Sequence, residues 1–232
     1  MENNEVIVLE IKFDYMGKEE KIYPVILNDK DNMTLIDCGY ENFLPLIEKE
    51  MQKYNLNPNN LNYLYLTHQD DDHMGSAYEF KKKYPNIKII TSKIEKDYIS
   101  GKKKNIRLEQ GENLLKFLEG DEKKFGEQFC ERMRNIKNIT SDIEVENGEV
   151  FDWVGGCEVI DTRGHTSGHT SLYLKKYKYL IVGDAGVLEN NTLVVANPQY
   201  SYNLEQAKNS LKKIKSMDIK KYICYHGGVK SL

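Results

Sequence analysis

The sequence has no apolar stretch that approaches the ~20 consecutive residues needed by a membrane-spanning helix. It also lacks the basic-then-apolar order of a signal peptide, because the chain starts with Met1-Glu-Asn-Asn-Glu5 before its first apolar run. Positive charge is not in excess either, since 33 Lys and Arg stand against 36 Asp and Glu. We therefore expect a cytoplasmic protein that has neither a membrane nor a nucleic acid as its partner.

Cysteine is scarce as well. The four cysteines, Cys38, Cys130, Cys157 and Cys224, lie far apart and form no C-x-x-C pair. This spacing is typical of reduced thiols and argues against a disulfide framework. None of these thiols has the sequence context of a catalytic nucleophile. The 232 residues are enough for one domain with a full core, and we predict a single domain over residues 1–232.

Short apolar runs predict strands near both ends of the chain, and segments of helical period separate some of them. The expected strands cover 6–13, 22–27, 33–36, 61–66, 87–91, 143–145, 150–153, 159–161, 171–174, 179–182, 193–195 and 221–224, and the expected helices cover 42–54, 77–83 and 204–217. Between about 93 and 140 the sequence becomes a charged helix with a leucine and phenylalanine spine, which predicts a helical insertion. The order of elements favours an α+β fold with two mixed sheets face to face and helices outside.

The histidines are few and clustered. All five lie in three short segments, and each segment begins where a predicted strand ends: His68 and His73, His165 and His169, and His226. A fourth segment of the same form, residues 179–183, ends in Asp184. Strand ends that meet at one edge of a sheet are where α/β proteins build ligand sites. The sequence therefore predicts a cluster of imidazoles and carboxylates at such an edge.

Three consecutive carboxylates, Asp70 to Asp72, lie between the first two histidines. Such crowding needs either solvent or a bound cation. Imidazole and carboxylate together suit zinc, iron or manganese, and two neighbouring ions would neutralise the loop. Calcium does not fit, because Met74 occupies the next oxygen position of an EF-hand loop and Lys81 stands where its final glutamate belongs.

Four motifs occur in a fixed order: His68-x-Asp70-x-Asp72-His73, Gly164-His-Thr-Ser-Gly-His169, Gly183-Asp184 and Tyr225-His226-Gly-Gly. They resemble the metal motifs of the metallo-β-lactamase superfamily, whose usual first motif is H-x-H-x-D-H. The resemblance runs from Leu35-Ile-Asp-Cys-Gly39 to His226 and leaves the insertion unmatched. It implies a four-layer αβ/βα sandwich and a hydrolase that cleaves an ester, thioester, lactone or related bond of a small-molecule substrate.

The same resemblance implies a role for each matched residue. A first ion would be held by His68, Asp70 and His165, a second by Asp72, His73 and His226, and Asp184 would bridge the two. The cofactors would be two divalent metal ions, with zinc expected and iron or manganese as alternatives, and a hydroxide between them would be the nucleophile. Asp72 would also be catalytic, because it would orient the hydroxide and manage its proton. His169 is not a ligand in the matching pattern, so we expect it to support the ligands.

Asp70 departs from the family pattern, since a histidine usually stands there. Either Asp70 is a harder ligand that favours iron or manganese, or it accepts hydrogen bonds without contacting metal. Flavodiiron proteins of the same superfamily carry a carboxylate at this place, so the alternative function is a di-iron redox protein that reduces oxygen or nitric oxide. We expect no flavin domain, because six residues follow His226. A metal-bound protein without turnover is a third hypothesis.

Two further features remain open. Asp71 is expected either to be solvated or to cap a helix that begins near Gly75. The insertion at about 93–140 is expected either to cover the metal edge as a lid or to form the interface of a homodimer.

Overall fold

The computed structural model describes residues 5–15 and 17–232. Its strands, in chain order, are β1 (Glu5–Val8), β2 (Ile11–Tyr15), β3 (Lys18–Ile22), β4 (Val25–Asn28), β5 (Met33–Ile36), β6 (Tyr63–Tyr65), β7 (Lys88–Ser92), β8 (Ile143–Val145), β9 (Val150–Phe151), β10 (Cys157–Asp161), β11 (Thr170–Leu174), β12 (Tyr179–Gly183), β13 (Val187–Glu189), β14 (Thr192–Val194), β15 (Lys221–Cys224) and β16 (Gly228–Ser231). Its helices are α1 (Leu44–Lys53), α2 (Asp71–Met74), α3 (Ala77–Lys83), α4 (Lys96–Ile99), α5 (Ile106–Leu115), α6 (Gly120–Asn135) and α7 (Leu204–Lys215).

Two six-stranded mixed sheets form the centre of the molecule. The first has the order β1-β4-β5-β6-β7-β8 and is parallel from β5 to β8. The second has the order β16-β15-β12-β11-β10-β9, in which only β12 and β15 run parallel. Two separate hairpins, β2-β3 and β13-β14, complete the strands. The parallel strands of both sheets end at the edge where the histidine segments begin.

Adjacent residues of the central strands face opposite sides of their sheet, as the strand period of two requires. In β5 and β6, Ile36 and Tyr65 point to the second sheet and pack with Leu172 and other residues of that sheet. Leu35 and Leu64, one position earlier, belong to a different core cluster that includes α1 and α3. The outer face of the second sheet packs against α7. The layers therefore run helix, sheet, sheet, helix, which confirms the predicted four-layer sandwich.

The outer helices are amphipathic and short. In α1 the buried residues Leu44, Ile47 and Met51 lie at helical spacing on one face. In α7 the side chain of Asn203 accepts a hydrogen bond from the backbone N–H of Gln206, which satisfies a free donor of the first turn. Burial of one apolar face against a sheet therefore stabilises each helix.

The predicted insertion contains α4, α5 and α6. Leu108, Cys130 and Met133 form a small core between α5 and α6, apart from the main cores. The predicted apolar spine is only partly buried, because Leu114 and Phe125 are each 50% exposed. No helix among the described residues is long and apolar enough to cross a bilayer.

The N-terminal strands differ from the prediction. Residues 6–13 contribute to two strands in different sheets, and between these strands the backbone N–H of Leu9 donates a hydrogen bond to the carbonyl of Pro24. The expected strand 22–27 is divided at Pro24, which has no N–H to donate to a neighbouring strand. Strands β13 and β16 were not predicted at all.

Candidate metal centre

The structure brings all seven predicted ligand residues to one edge of the two sheets. Three groups have ligand atoms within 4.8 Å of one another: His68 with Asp70 and His165, His68 with His73 and Asp184, and Asp72 with His73 and His226. Their loops follow β6, β10, β12 and β15. These residues are up to 158 positions apart in the chain, so only the tertiary fold makes them neighbours.

The first cluster has the spacing of a metal site. Asp70 Oδ2 lies 3.0 Å from His165 Nε2 and 3.4 Å from His68 Nε2. Asp184 Oδ2 lies 3.3 Å from His165 Nε2. Ligands about 2.0–2.2 Å from a tetrahedral ion are separated by roughly 3.3–3.6 Å, so the spacing of these atoms is close to that of ligands of one ion. Arg107 also contacts two of them, Asp70 and His165.

The second cluster has similar dimensions. Asp72 Oδ2 lies 3.0 Å from His226 Nε2 and 3.7 Å from His73 Nε2. The other oxygen of Asp184, Oδ1, lies 3.3 Å from His73 Nε2. Asp184 thus presents one oxygen to each cluster, which is the arrangement that a bridging carboxylate requires.

Hydrogen bonds on the far side of two rings leave the correct nitrogen free for a metal. His73 Nδ1 donates to Asp37 Oδ2 at 2.8 Å. Thr67 Oγ1 donates to the same carboxylate at 2.8 Å and therefore accepts from His68 Nδ1 at 2.9 Å. Both protons lie on Nδ1, so both Nε2 lone pairs face the site.

Three buried polar atoms of the site indicate whether a metal fits there. Among the described residues, His68 Nε2, His73 Nε2 and Asp184 Oδ1 have no hydrogen-bond partner. Buried polar atoms without partners are costly and rare. Divalent ions would satisfy all three, so the donor set fits the metals that the sequence predicts.

His169 lies behind the clusters, and both of its ring nitrogens are already used. Its Nε2 accepts from the backbone N–H of Asp184 at 2.8 Å, and its Nδ1 donates to Thr162 Oγ1 at 2.9 Å. The close contact also explains Gly183, since an added Cβ there would lie 2.6 Å from His169 Nε2. His169 therefore positions the Asp184 backbone and has no lone pair left for an ion.

Asp37 supports the site but was assigned no role from sequence. Besides the two side-chain hydrogen bonds, its Oδ1 accepts from the backbone N–H of Thr67 at 2.9 Å. Its φ of 58° is left-handed, a conformation that Asp and Asn tolerate better than most residues. A signal was present, because Asp37 follows directly after a strand, as the predicted ligands do.

Glu95 is a second residue that sequence reasoning missed. This fully buried carboxylate accepts hydrogen bonds from the backbone N–H groups of Gln69 at 3.1 Å and Gly168 at 2.8 Å, and from Thr166 Oγ1 at 2.7 Å. Burial raises its pKa to about 7. Glu95 ties together the two loops that carry His68 and His165. The sequence around it, a charged insertion, contains no signal of this role.

The three adjacent carboxylates have three different partners. Asp70 Oδ2 accepts from Arg107 Nε at 2.8 Å, and Asp71 Oδ2 lies 3.1 Å from Arg132 Nε. Asp72 faces His226 in the second cluster. Both arginines come from the insertion, so it contributes two positive charges to the acidic loop.

The two arginine contacts affect the carboxyl groups differently. Burial alone raises the pKa of Asp70, but the neighbouring charge of Arg107 opposes it, and this pKa lies well below its usual range. Burial and the neighbouring charge of Asp72 raise the pKa of Asp71 to about 7 in spite of Arg132. The expectation of a solvated or helix-capping Asp71 is wrong, because its side chain is only 15% exposed and lies inside the first turn of α2.

A cleft of about 340 Å³ opens over the two clusters, and Tyr40, Phe129 and Tyr200 are among its wall residues. A larger cavity of about 710 Å³ lies beside it between α5 and α6. The two share Arg107, Phe129 and Tyr200 as wall residues. The insertion therefore lines the metal cleft, whereas its predicted alternative role in a homodimer stays a prediction.

A four-layer αβ/βα sandwich with two histidine and carboxylate clusters at one sheet edge defines a metal-binding enzyme class. The family model of the metallo-beta-lactamase superfamily matches residues 22–226. The chain therefore belongs to the metallo-beta-lactamase superfamily, a superfamily of metallo-hydrolases, as the sequence motifs predicted.

Relatives and solved structures agree with this assignment. The chain is 26% identical over 195 residues to a probable metallo-hydrolase of Methanocaldococcus jannaschii, an alignment that covers 84% of this chain and 71% of the relative. It is 31% identical over 159 residues to a metallo-beta-lactamase fold-containing protein of Sulfurisphaera tokodaii, covering 65% of this chain and 56% of the relative.

Among solved structures, a metallo-beta-lactamase family protein of Thermus thermophilus is similar with a TM-score of 0.74 and 19% identity, covering 97% of this chain and 74% of that chain. An archaeal superfamily protein of Sulfolobus tokodaii has a TM-score of 0.68 and 21% identity, covering 98% of this chain and 82% of that chain. At these identities the similarity shows the fold.

Proposed function

We propose that the chain is a metal-dependent hydrolase of a small-molecule ester, thioester, lactone or related bond, with a dinuclear centre. The observation that carries this proposal is Asp184, whose two oxygens lie 3.3 Å from histidine nitrogens of different clusters. His68, Asp70 and His165 would hold one ion, and Asp72, His73 and His226 the other. When bound, such ions polarise a scissile carbonyl and lower the pKa of a water between them.

The chain's own residues contribute orientation and proton transfer. Asp37 and Thr67 hold two histidine rings in place, and His169 holds the backbone of Asp184. Asp72 lines the cleft and carries a carboxylate that can accept a proton from the attacking water. Preorganised groups of this kind need no rearrangement during the reaction.

The cavity beside the metal cleft supports a substrate with an apolar portion. Leu114, Leu118, Phe125 and Phe129 line it, and Arg107, Phe129 and Tyr200 are wall residues of both this cavity and the metal cleft. A reacting carbonyl at the metal edge would place an attached alkyl chain between α5 and α6. Burial of each methylene there contributes about 0.8 kcal/mol of binding free energy.

The test is hydrolysis by zinc-loaded protein of a panel of carboxylic esters, thioesters, lactones and phosphodiesters. We expect turnover of at least one acyl substrate, and a loss of at least about 100-fold in kcat/KM in Asp184→Asn, because the variant weakens both clusters at once. A matched control is Asp218→Asn on the exposed loop before β15, which should keep full activity. Metal-loaded protein that hydrolyses no member of the panel would refute the proposal.

The alternative of a di-iron redox protein rests on Asp70 alone. Arg107 pairs with that carboxylate, so the oxygen ligand that would favour iron already has a cationic partner. Metal analysis after expression without added metal separates the two functions. Zinc without iron excludes the redox function, whereas iron together with reductant-dependent oxygen consumption would favour it.

A further inference from the structure

Arg107 occupies an unusual position for a cation, because it lies against two predicted ligands of the first ion. This side chain of α5 is only 6% exposed. Its Nε and Nη2 lie 2.8 Å and 2.7 Å from Asp70 Oδ2. Its Nη2 also donates to His165 Nε2 at 2.7 Å. The guanidinium therefore makes charge-assisted bonds to atoms that a metal would need.

The contact of Arg107 with His165 excludes a metal ion from the same ring nitrogen. An imidazole nitrogen has one lone pair, and a guanidinium has only donors, so Nε2 of His165 must accept from Arg107. A metal ion would need the same lone pair. His165 can therefore bind the guanidinium or an ion through this nitrogen, but not both.

Distances lead to the same conclusion independently of ring orientation. Asp70 Oδ2 and His165 Nε2 are 3.0 Å apart, and Arg107 Nη2 is 2.7 Å from each. An ion about 2.1 Å from both atoms would lie within about 3.7 Å of Nη2 wherever it sits around them. A divalent ion and a guanidinium at that separation repel strongly in a buried site.

Arg107 is held in place from its other side. Its Nη1 donates to Gln110 Oε1 at 3.0 Å and also to the carbonyl oxygen of Tyr200. In the second cluster, by contrast, no Lys or Arg among the described residues forms an ion pair with Asp72, His73 or His226. The first cluster therefore already contacts a cationic side chain, whereas those three residues of the second cluster pair with no Lys or Arg of the described chain.

We propose that Arg107 competes with the first metal ion for Asp70 and His165. The chain then binds one ion tightly at Asp72, His73, His226 and Asp184, and it takes up another only when the guanidinium is displaced. The proposal deepens the proposed function, since it decides how many ions the hydrolase holds at a given metal concentration. It also accounts for Asp70, because a histidine at this position would form no salt bridge with an arginine.

Metal stoichiometry tests this directly. Chelator-treated protein is dialysed against buffered zinc, and bound zinc is counted per chain by elemental analysis while calorimetry follows the titration. We expect the wild-type chain to bind its two ions in well-separated steps. Arg107→Met, which keeps the apolar stem but removes the charge, should strengthen binding of the weaker ion by at least about tenfold.

The matched control is Arg132→Met. Arg132 belongs to the same insertion and pairs with the adjacent Asp71, but it contacts no predicted ligand. It should leave both binding steps unchanged. The proposal would be overturned if the wild-type chain bound two ions equally tightly, an outcome that can be measured even if Arg107→Met fails to fold. It would also be overturned if a folded Arg107→Met bound both ions with unchanged affinities. Hydrolysis by a chain that binds two equivalent ions would overturn the role of Arg107 but leave the proposed function standing. Two separate binding steps without any turnover would support the role of Arg107 but overturn the proposed function.

Discussion

Replacement of Asp37 by asparagine tests whether the support beneath the metal site sets its affinity. The carboxylate is only 2% exposed and accepts three hydrogen bonds, two from Thr67 and one from His73 Nδ1. Asparagine keeps the size of the side chain and tolerates the φ of 58°. The change therefore removes charge and one acceptor while leaving the backbone geometry intact.

The expected magnitude follows from those bonds. The asparagine side chain has one acceptor oxygen. If that oxygen accepts the hydrogen bonds from His73 Nδ1 and the Thr67 hydroxyl, the asparagine NH2 group faces the Thr67 backbone N–H, and that hydrogen bond is lost. A lost bond to a charged group costs about 1.5–3 kcal/mol, and we expect the metal-free chain to lose about 2 kcal/mol in its free energy of unfolding. Weaker orientation of His73 should lower zinc affinity about 10–100-fold.

Chelator competition measures the zinc affinity, and urea unfolding of the metal-free chain measures the stability. Asp142→Asn is the control, because Asp142 also accepts a backbone N–H, from Ile89, but has a 39% exposed side chain far from the site. The control should change stability by less than about 1 kcal/mol and leave zinc binding unaltered. If Asp37→Asn binds zinc as the wild-type chain does, the assigned role of Asp37 is wrong.

Three further predictions concern the loops and the cavity. Gly164→Ala should lower the unfolding free energy by at least about 3 kcal/mol in urea melts, because the added Cβ would lie 2.1 Å from the backbone nitrogen of Ala207. Gly148→Ala is the control, since Gly148 also has a positive φ but an added Cβ would meet nothing within 4 Å, and it should cost only about 1–2 kcal/mol. Equal losses in the two variants would contradict the predicted clash with Ala207. The pKa of Glu95 is raised from 4.5 to about 7, so its contribution to stability is complete below pH 4.5 and decreases as pH rises towards 7, by up to about 3 kcal/mol. The difference in unfolding free energy between wild type and Glu95→Gln should vary with pH in that window, and parallel curves would exclude this origin. Finally, kcat/KM for p-nitrophenyl esters should rise about fourfold per methylene from acetate to octanoate, which corresponds to about 0.8 kcal/mol each. Phe125→Ser should flatten this series, whereas Phe117→Ser, at a residue that is 82% exposed and outside the cavity, should not. A flat wild-type series would refute the assigned role of the cavity.

The local sequence predicted most of the strands and helices and the positions where candidate ligand residues follow strand ends. Apolar runs of strand period mark β5, β6 and β12 because alternate residues face two different cores, and this alternation is a local property of the chain. Histidines directly after such runs identify the edge of the sheet where a site can form. Pro24 limited the prediction near the N-terminus, since the interruption it causes separates strands of two different sheets.

The partners of those residues were decided by tertiary structure alone. Asp37 supports His73 from a different strand end, and Glu95 joins loops separated by about 100 residues. Arg107 reaches Asp70 from an insertion that matches no motif. Such contacts depend on how distant elements pack, and no local pattern encodes the distance between them. The acidic run Asp70 to Asp72 could therefore be recognised in the sequence as needing positive charge, whereas only the fold assigned an arginine to Asp70, another to Asp71 and a histidine to Asp72.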